Sequence, residues 1–209
     1  STLIVGPRVN GHRTTVLVDS GDNRKSINGA KFVGLILNDL GITELDHVVL
    51  SHFDADHMGG SVTIGTGSES LIWDRTGDLS NPTCVAKKLF PKKTIVDMGL
   101  PVVTGTWSKS RQEWVGCVGK LTGSGKTSHL RIDGPTKTGA ILKLGGDYEA
   151  RLVTGRGYVW GHSKKIMRAN SPNEMSIAVL VSGKKGFNFL VTGDLIGIKT
   201  GAKEDSKLE

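Results

Sequence analysis

Short runs of β-branched and other apolar residues, separated by glycine, most constrain the fold of this chain. The 209 residues include 29 glycines, which are spread along the whole sequence. Such runs, bounded by glycine, are typical of short strands that are joined by turns. The sequence therefore predicts one strand-rich domain over residues 1–209, with no internal repeat and no internal domain boundary.

The first part of the chain predicts a strand, a helix and a second strand, in that order. TTVLVDSG (Thr14–Gly21) is typical of a strand that enters a glycine turn. KFVGLILNDLG (Lys31–Gly41) predicts a helix that ends at its last glycine. The apolar residues spaced like one helix face are Phe32, Leu35, Ile36 and Leu40. HVVLSH (His47–His52) then predicts a short buried strand, and ligand sites in open α/β sheets lie beyond such strand ends.

The later segments are less regular. Ser70–Asp74 and Thr94–Gly99 are predicted to be strands, with a short helix at Thr83–Phe90 between them. Thr104–Pro135 is rich in Gly, Ser and Thr and is predicted to form loops or a hairpin. MSIAVLVSGKKGFNFLVTGDL (Met175–Leu195) predicts two strands joined by a glycine turn.

The segment SHFDADHMGG carries the densest group of ligand-type side chains. His52, Asp54, Asp56 and His57 fall within six positions, directly after the predicted buried strand. Alternate residues of an extended backbone point the same way, so the first three share a side, and the following turn brings the fourth from another direction. A solvated polar loop is the alternative interpretation, which this density disfavours. The pattern predicts a site for one or two cations such as Zn, Mn, Fe or Co.

HFDADHMGG resembles the H-x-H-x-D-H signature of the metallo-β-lactamase superfamily, with Asp54 in the place of the second His. The H-x-D-x-D-H form is similar to that of the hydrolase domain of ComEC-type competence proteins. LVDSG resembles the early family strand that ends in Asp19, and FNFLVTGDL resembles the strand that ends in T-G-D at Asp194. SPNEMSIAVLV resembles an N-x-x-S stretch, with Asn173 and Ser176 in the matching places.

This resemblance implies an α/β (α+β) fold, an αββα sandwich of two mixed sheets flanked by helices. It implies two divalent metal ions, Zn or Mn, at the edge of the sheets. His52 and Asp54 would bind the first metal, Asp56 and His57 the second, and Asp194 both. Asp19, Asn173 and Ser176 would support the site. A carboxylate in the place of an imidazole favours Mn or another oxygen-preferring ion.

The implied activity is hydrolysis by activated water, with Asp56 as the catalytic residue that orients or deprotonates the water. Two cations suit phosphodiester cleavage, because the attacking and leaving oxygens both carry negative charge. The net charge of +7 favours an anionic partner such as DNA, although it is also typical of a merely soluble surface. Hydrolysis of another ester or amide, such as a lactone or a β-lactam, remains an alternative. A non-catalytic binding domain is a third hypothesis.

Relatives carry a D-x-G-q-G-D-a stretch before the first strand and a His-His-Gly segment after T-G-D, and this sequence shows neither. We therefore expect a fragment of a longer protein, truncated at both ends.

The remaining motifs and single residues give weaker indications of function. LTGSGKTSH (Leu121–His129) has Lys120 where a phosphate-binding loop requires glycine, so no nucleotide site is predicted. Cys84 and Cys117 lack the spacing of a zinc knuckle, and two cysteines do not make a disulfide framework, so the cellular compartment stays open. His12 and His47 are expected on the surface. No run of about 18 apolar residues exists, so no membrane span is expected.

Overall fold

The computed structural model describes residues 1–22, 28–63, 70–99, 107–166, 173–184 and 186–195. Its helices are α1 (Gly29–Asp39), α2 (Ala55–Met58) and α3 (Lys109–Thr122). Its strands are β1 (Thr2–Val9), β2 (His12–Val18), β3 (His47–Val49), β4 (Trp73–Thr76), β5 (Thr83–Ala86), β6 (Thr94–Asp97), β7 (Ser128–Arg131), β8 (Ile141–Gly145), β9 (Tyr148–Leu152), β10 (Thr154–Gly155), β11 (Tyr158–Val159), β12 (Val179–Ser182) and β13 (Asn188–Val191).

The first sheet has five strands in the order β1-β2-β3-β6-β7. The β1 and β2 strands pair antiparallel as a hairpin, whereas β2, β3, β6 and β7 run parallel to one another. The inner parallel strands β2, β3 and β6 are largely buried, whereas the edge strand β7 is not. Their carboxyl ends share one edge, so the residues that follow β2 and β3 are brought together there.

The second sheet has four strands in the order β13-β12-β9-β8. The predicted terminal hairpin is confirmed, because β12 and β13 pair antiparallel with Val179 opposite Val191. The resemblance implied two mixed sheets, and only the first is mixed. The second is antiparallel throughout, because β8 and β9 form a hairpin and β12 pairs antiparallel with both of its neighbours.

The two sheets pack face to face around one apolar core. Buried side chains of both sheets belong to a single cluster, with Val16 and Val18 from β2 and Leu142 and Leu144 from β8 among its members. The sheets approach closely at Gly6, where a β-carbon would collide with the Leu144 carbonyl oxygen. The α+β sandwich of the metallo-β-lactamase type is confirmed.

The predicted first helix is confirmed as α1, but its predicted buried face is wrong. Phe32 is 69 % exposed, and the other three residues of that face are exposed as well. The helix instead buries Gly29, Ala30 and Leu37. Its small N-terminal residues allow close contact with the turn that follows α2, and this contact, not apolar spacing, sets the orientation of the helix.

The middle of the chain departs from prediction at several segments, and the strand predicted at Ser70–Asp74 is displaced to Trp73–Thr76. Thr83–Phe90 was predicted to be a helix, but Thr83–Ala86 is strand β5, which pairs with β4. Within Thr104–Pro135, predicted to form loops or a hairpin, lie the 14-residue helix α3 and the strand β7, which pairs parallel with β6. Cys84 of β5 and Cys117 of α3 form a disulfide, so the long-range contact with α3 holds the β4–β5 hairpin in place.

Two histidines expected on the surface differ in their environment. His12 is exposed and its Nε2 lies 3.1 Å from Oδ2 of Asp46. His47 is buried on β3 between neighbouring strands, because parallel strands at the centre of a sheet are covered on both faces. Within the described ranges, no helix has the length and apolar character needed to cross a membrane.

Candidate metal centre

Three strand ends meet at one edge of the sandwich. Asp19 follows β2, Ser51 and His52 follow β3, and Asp194 follows β13. Asp194 reaches the edge because Gly193 lies against the β3 loop, where a β-carbon would stand 2.8 Å from that of Ser51. Gly193 also has φ of +58°, which favours glycine. The glycine of the T-G-D stretch therefore permits the second sheet to bring its carboxylate to the first.

Asp19 links the strand ends through its carboxylate. Its Oδ1 accepts a hydrogen bond from the Ser51 backbone N–H at 2.7 Å, and its Oδ2 accepts one from the Ser51 hydroxyl at 2.8 Å. The same Oδ2 lies 2.8 Å from Nδ1 of His57. Since an ionised carboxylate only accepts hydrogen bonds, His57 carries a proton on Nδ1 and directs Nε2 into the site.

His52 is oriented in the same way by hydroxyl groups. Its Nδ1 lies 3.0 Å from Oγ of Ser51 and 3.3 Å from Oγ of Ser176. Because the Ser51 hydroxyl hydrogen is given to Asp19, the Ser51 oxygen accepts from His52 Nδ1–H. The Nε2 of His52 is thus unprotonated, and although it is fully buried it has no hydrogen-bond partner. A buried acceptor without a partner is costly, which is expected where a metal ion is to be bound.

The remaining ligand-type groups converge on these two nitrogens. Asp194 Oδ1 lies 3.1 Å from His57 Nε2, and ligand atoms of His52, His57 and Asp194 all lie within 4.8 Å of one another. Asp54 Oδ2 lies 3.4 Å from His52 Nε2, and Asp56 Oδ2 lies 3.9 Å from His57 Nε2. Of the five residues predicted as metal ligands, the structure groups His52, His57 and Asp194, whereas Asp54 and Asp56 each lie beside one of the two histidines and outside that group.

The two imidazoles differ in their electrostatic environment. Burial, together with the neighbouring charge of His57, lowers the pKa of His52. Burial also acts to lower the pKa of His57, but the Asp19 hydrogen bond and the charges of Asp19, Asp194 and Asp56 outweigh it, so this pKa is raised. A region that stabilises positive charge on one imidazole is also one that stabilises a cation. The donor set of imidazole nitrogens and carboxylate oxygens fits a borderline or hard divalent ion.

The comparisons with known proteins agree with this geometry. The family model of the metallo-β-lactamase superfamily matches residues 1–65. The matched segment contains Asp19 and the whole cluster from His52 to His57, and it ends before β13 brings in Asp194. A search of curated proteins gives no match. The match indicates a metal-dependent hydrolase, and divalent metals are usual in that superfamily.

The predicted supporting residues lie behind the ligands. Ser176 is buried beside His52, and its backbone N–H donates to the Asn173 carbonyl at 3.0 Å. The Ile177 backbone N–H donates to the Ser51 carbonyl at 2.9 Å, which ties this segment to the β3 loop. The contact of Asn173 with Ser176 is made by its backbone carbonyl, at the start of a 3-10 turn.

Sequence reasoning missed Ser51, which accepts from His52 and donates to Asp19. A signal was available, because a hydroxyl residue between a buried strand and a ligand histidine is well placed to orient that histidine.

A cavity of about 310 Å³ adjoins the site. Asp19 and His57 form its polar side, and β13 forms much of the remainder through Leu190 and Val191. Its volume lies at the lower end of the range that small-molecule sites occupy.

Proposed function

We propose that this protein is a two-metal hydrolase of phosphodiesters, of the ComEC competence type, that acts on DNA or a related anionic substrate. The observation that carries the proposal is the convergence of one imidazole nitrogen each of His52 and His57 and a carboxylate oxygen of Asp194 within 4.8 Å. The net charge of +7 supports a polyanionic substrate.

The ligands divide between two metal ions. We assign His52 and Asp54 to the first ion, Asp56 and His57 to the second, and Asp194 to both. When bound, divalent ions lower the pKa of water and stabilise negative charge on the attacked group. The carboxylate of Asp54 makes the first site more anionic and favours Mn²⁺ over Zn²⁺.

The side chains of the protein supply orientation and proton transfer. Asp19 and the hydroxyls of Ser51 and Ser176 hold both imidazoles with Nε2 toward the metals. Asp56 is half exposed and lies 3.9 Å from His57 Nε2, where it can accept a proton from the attacking water. The exposed sides of Asp54 and Asp56 leave the approach to the site open to a long substrate.

The test compares Asp56→Asn with wild type in Mn²⁺ and in Zn²⁺, with plasmid DNA and bis(p-nitrophenyl) phosphate as substrates. Loss of the general base is expected to lower kcat at least about 100-fold. Asp39→Asn, an exposed carboxylate on α1, is the matched control and is expected to retain full activity. Metal content per chain is measured on every variant. Wild-type protein that binds metal stoichiometrically yet cleaves neither phosphodiester would contradict the proposal and favour a binding domain.

Hydrolysis of a small ester or amide is the second candidate, and the cavity of about 310 Å³ beside His57 favours it. A panel of lactones, β-lactams and p-nitrophenyl acetate separates the two. Turnover of a neutral member, with no cleavage of either phosphodiester, would assign the site to this second activity.

A further inference from the structure

Arg111, in the first turn of α3, lies against the loop that carries the metal ligands. Its guanidinium carbon stands 5.2 Å from the centre of the Phe53 ring, and Phe53 lies between His52 and Asp54 in the chain. The Ser108 hydroxyl caps this end of the helix by accepting from the Arg111 backbone N–H at 3.3 Å. The Ser108 cap therefore holds the Arg111 backbone, and the Phe53 ring packs against the Arg111 side chain.

Arg111 is buried, and no carboxylate within the described ranges pairs with its guanidinium. Arg111 is only 9 % exposed, and its Nε forms no hydrogen bond. Two partly buried arginines have such a partner: Arg75 Nε donates to Glu113 Oε2 at 3.0 Å, and Arg151 is paired with Glu149 at 2.6 Å. Among the residues that the structure describes, Arg111 takes part in no ion pair.

A buried guanidinium without a counter-ion costs free energy, which an anionic ligand would offset. Burial lowers the pKa of Arg111, whereas the negative charge of Asp54 acts to raise it. The effect of burial is the larger, so the pKa is lowered. In the proposed metal assignment, Asp54 would bind the first cation together with His52. The Oδ2 atom of Asp54 lies 3.4 Å from Nε2 of His52. The positive charge of Arg111 then remains available beside that cation.

We propose that Arg111 binds the anionic phosphate group of the substrate beside the first metal position, a step that rests on the proposed function. The planar guanidinium donates two parallel N–H groups to two oxygens of one phosphate, which a lysine cannot do. The Phe53 ring packs against the guanidinium, with 5.2 Å between the guanidinium carbon and the ring centre. Arg111 thus distinguishes anionic esters from neutral ones.

The first test measures equilibrium binding of methylphosphonate by calorimetry, on the protein as purified. Arg111→Met keeps the apolar stem that packs on Phe53 and removes the charge, and Arg111→Lys keeps the charge and removes the planar fork. We expect affinity to fall about tenfold or more in Arg111→Met and by a smaller factor in Arg111→Lys. Arg8→Met changes the net charge equally at an exposed position and is expected to stay within about twofold of wild type.

The second test compares kcat/KM for bis(p-nitrophenyl) phosphate with that for the neutral ester p-nitrophenyl acetate. Arg111→Met is expected to lower the first value about tenfold or more and to leave the second unchanged. Equal loss for both esters, or a lowered Tm with unchanged methylphosphonate affinity, would show a purely structural role and overturn the inference. Failure of the wild-type protein to bind methylphosphonate would overturn it as well.

The two proposals fail in different ways. Arg111-dependent binding of methylphosphonate without phosphodiester cleavage keeps the anion site and contradicts the proposed activity. Cleavage of plasmid DNA that is insensitive to Arg111→Met keeps the activity and contradicts the anion site.

Discussion

The Oδ2 atom of Asp19 lies 2.8 Å from Nδ1 of His57, and the same carboxylate accepts two hydrogen bonds from Ser51. One side chain at the end of β2 thereby sets the tautomer of His57 and, through the Ser51 hydroxyl, that of His52. Asp19 has φ of +59°, a left-handed conformation that is uncommon outside glycine and asparagine or aspartate. We attribute this backbone conformation to the requirement that its carboxylate point at the ligands.

Replacing Asp19 by Asn is expected to weaken divalent metal binding about 10- to 100-fold, because the carboxylate orients His57 and increases its basicity. In metal-free protein the raised pKa of His57 is expected to fall in this variant, since the Asp19 hydrogen bond and charge are the largest effects that raise it. Chelator competition measures the first effect and NMR titration of the imidazole the second. Unchanged metal affinity, with Asp39→Asn as control, would contradict this role.

The features predicted from sequence are those that local residues determine. The buried parallel strand before the cluster and the terminal hairpin follow from apolar spacing. The positions of Asp19 in its V-D-S-G stretch and of Asp194 in its T-G-D stretch follow from the resemblance. In contrast, α3 was missed because its buried face includes Arg111 and Glu113, which interrupt the apolar period. These charges are buried for tertiary reasons that no local pattern reveals.

The error at Thr83–Phe90 has a related cause. Pairing with β4 and the bond from Cys84 to Cys117 make Thr83–Ala86 a strand, and both contacts are distant in the chain. The orientation of α1 likewise depends on close packing of Gly29 and Ala30 against another segment, not on the spacing of Phe32 and its neighbours.

The disulfide between Cys84 and Cys117 is expected to stabilise the fold by about 2–4 kcal/mol, because it closes a loop with a sequence separation of 33 residues. A Cys84→Ser/Cys117→Ser variant is expected to lose that amount of unfolding free energy in urea. Reductant should destabilise the wild type and leave the variant unchanged. Two titratable thiols in unreduced, denatured wild-type protein would show that the bond does not form.

His47 is expected to make stability depend on pH in a defined window. Burial lowers its pKa to about 4, although the Asp46 charge acts to raise it. The unfolded chain takes up this proton near pH 6.5 and the folded chain only near pH 4, so stability is present above pH 6.5 and is lost as the pH falls toward 4. The loss at pH 4.5 amounts to about 2–3 kcal/mol.

The measurement is the unfolding free energy of wild type and His47→Leu between pH 7 and pH 4.5. Other groups titrate in both proteins, so the difference between the two slopes isolates His47. Wild type should lose more stability than the variant on acidification. Parallel curves for the two proteins would contradict the assignment.

Glu113 of α3 is fully buried, and its carboxylate accepts hydrogen bonds from three directions. Oε1 accepts from the Thr63 backbone N–H at 2.7 Å and from Trp73 Nε1 at 2.9 Å, and Oε2 accepts from Arg75 Nε at 3.0 Å. Thr63 follows the turn after α2, so this carboxylate fastens α3 to the segment that carries the metal ligands.

Replacing Glu113 by Ala leaves the Arg75 charge and the Trp73 N–H without an acceptor, so we expect a loss of about 3–5 kcal/mol in unfolding free energy. Glu113→Gln keeps the volume and one acceptor oxygen and is expected to cost less. Glu44→Gln removes an exposed partner of Lys92 and serves as the surface control, with an effect below about 1 kcal/mol. If Glu113→Ala cost no more than this control, the buried carboxylate would not be what fixes α3.

Because Arg111 lies on the same helix, metal affinity and methylphosphonate affinity in Glu113→Gln further separate stability from site geometry. We expect metal binding to be retained, since every proposed metal ligand lies outside α3, and phosphonate binding to weaken as Arg111 loses its fixed position.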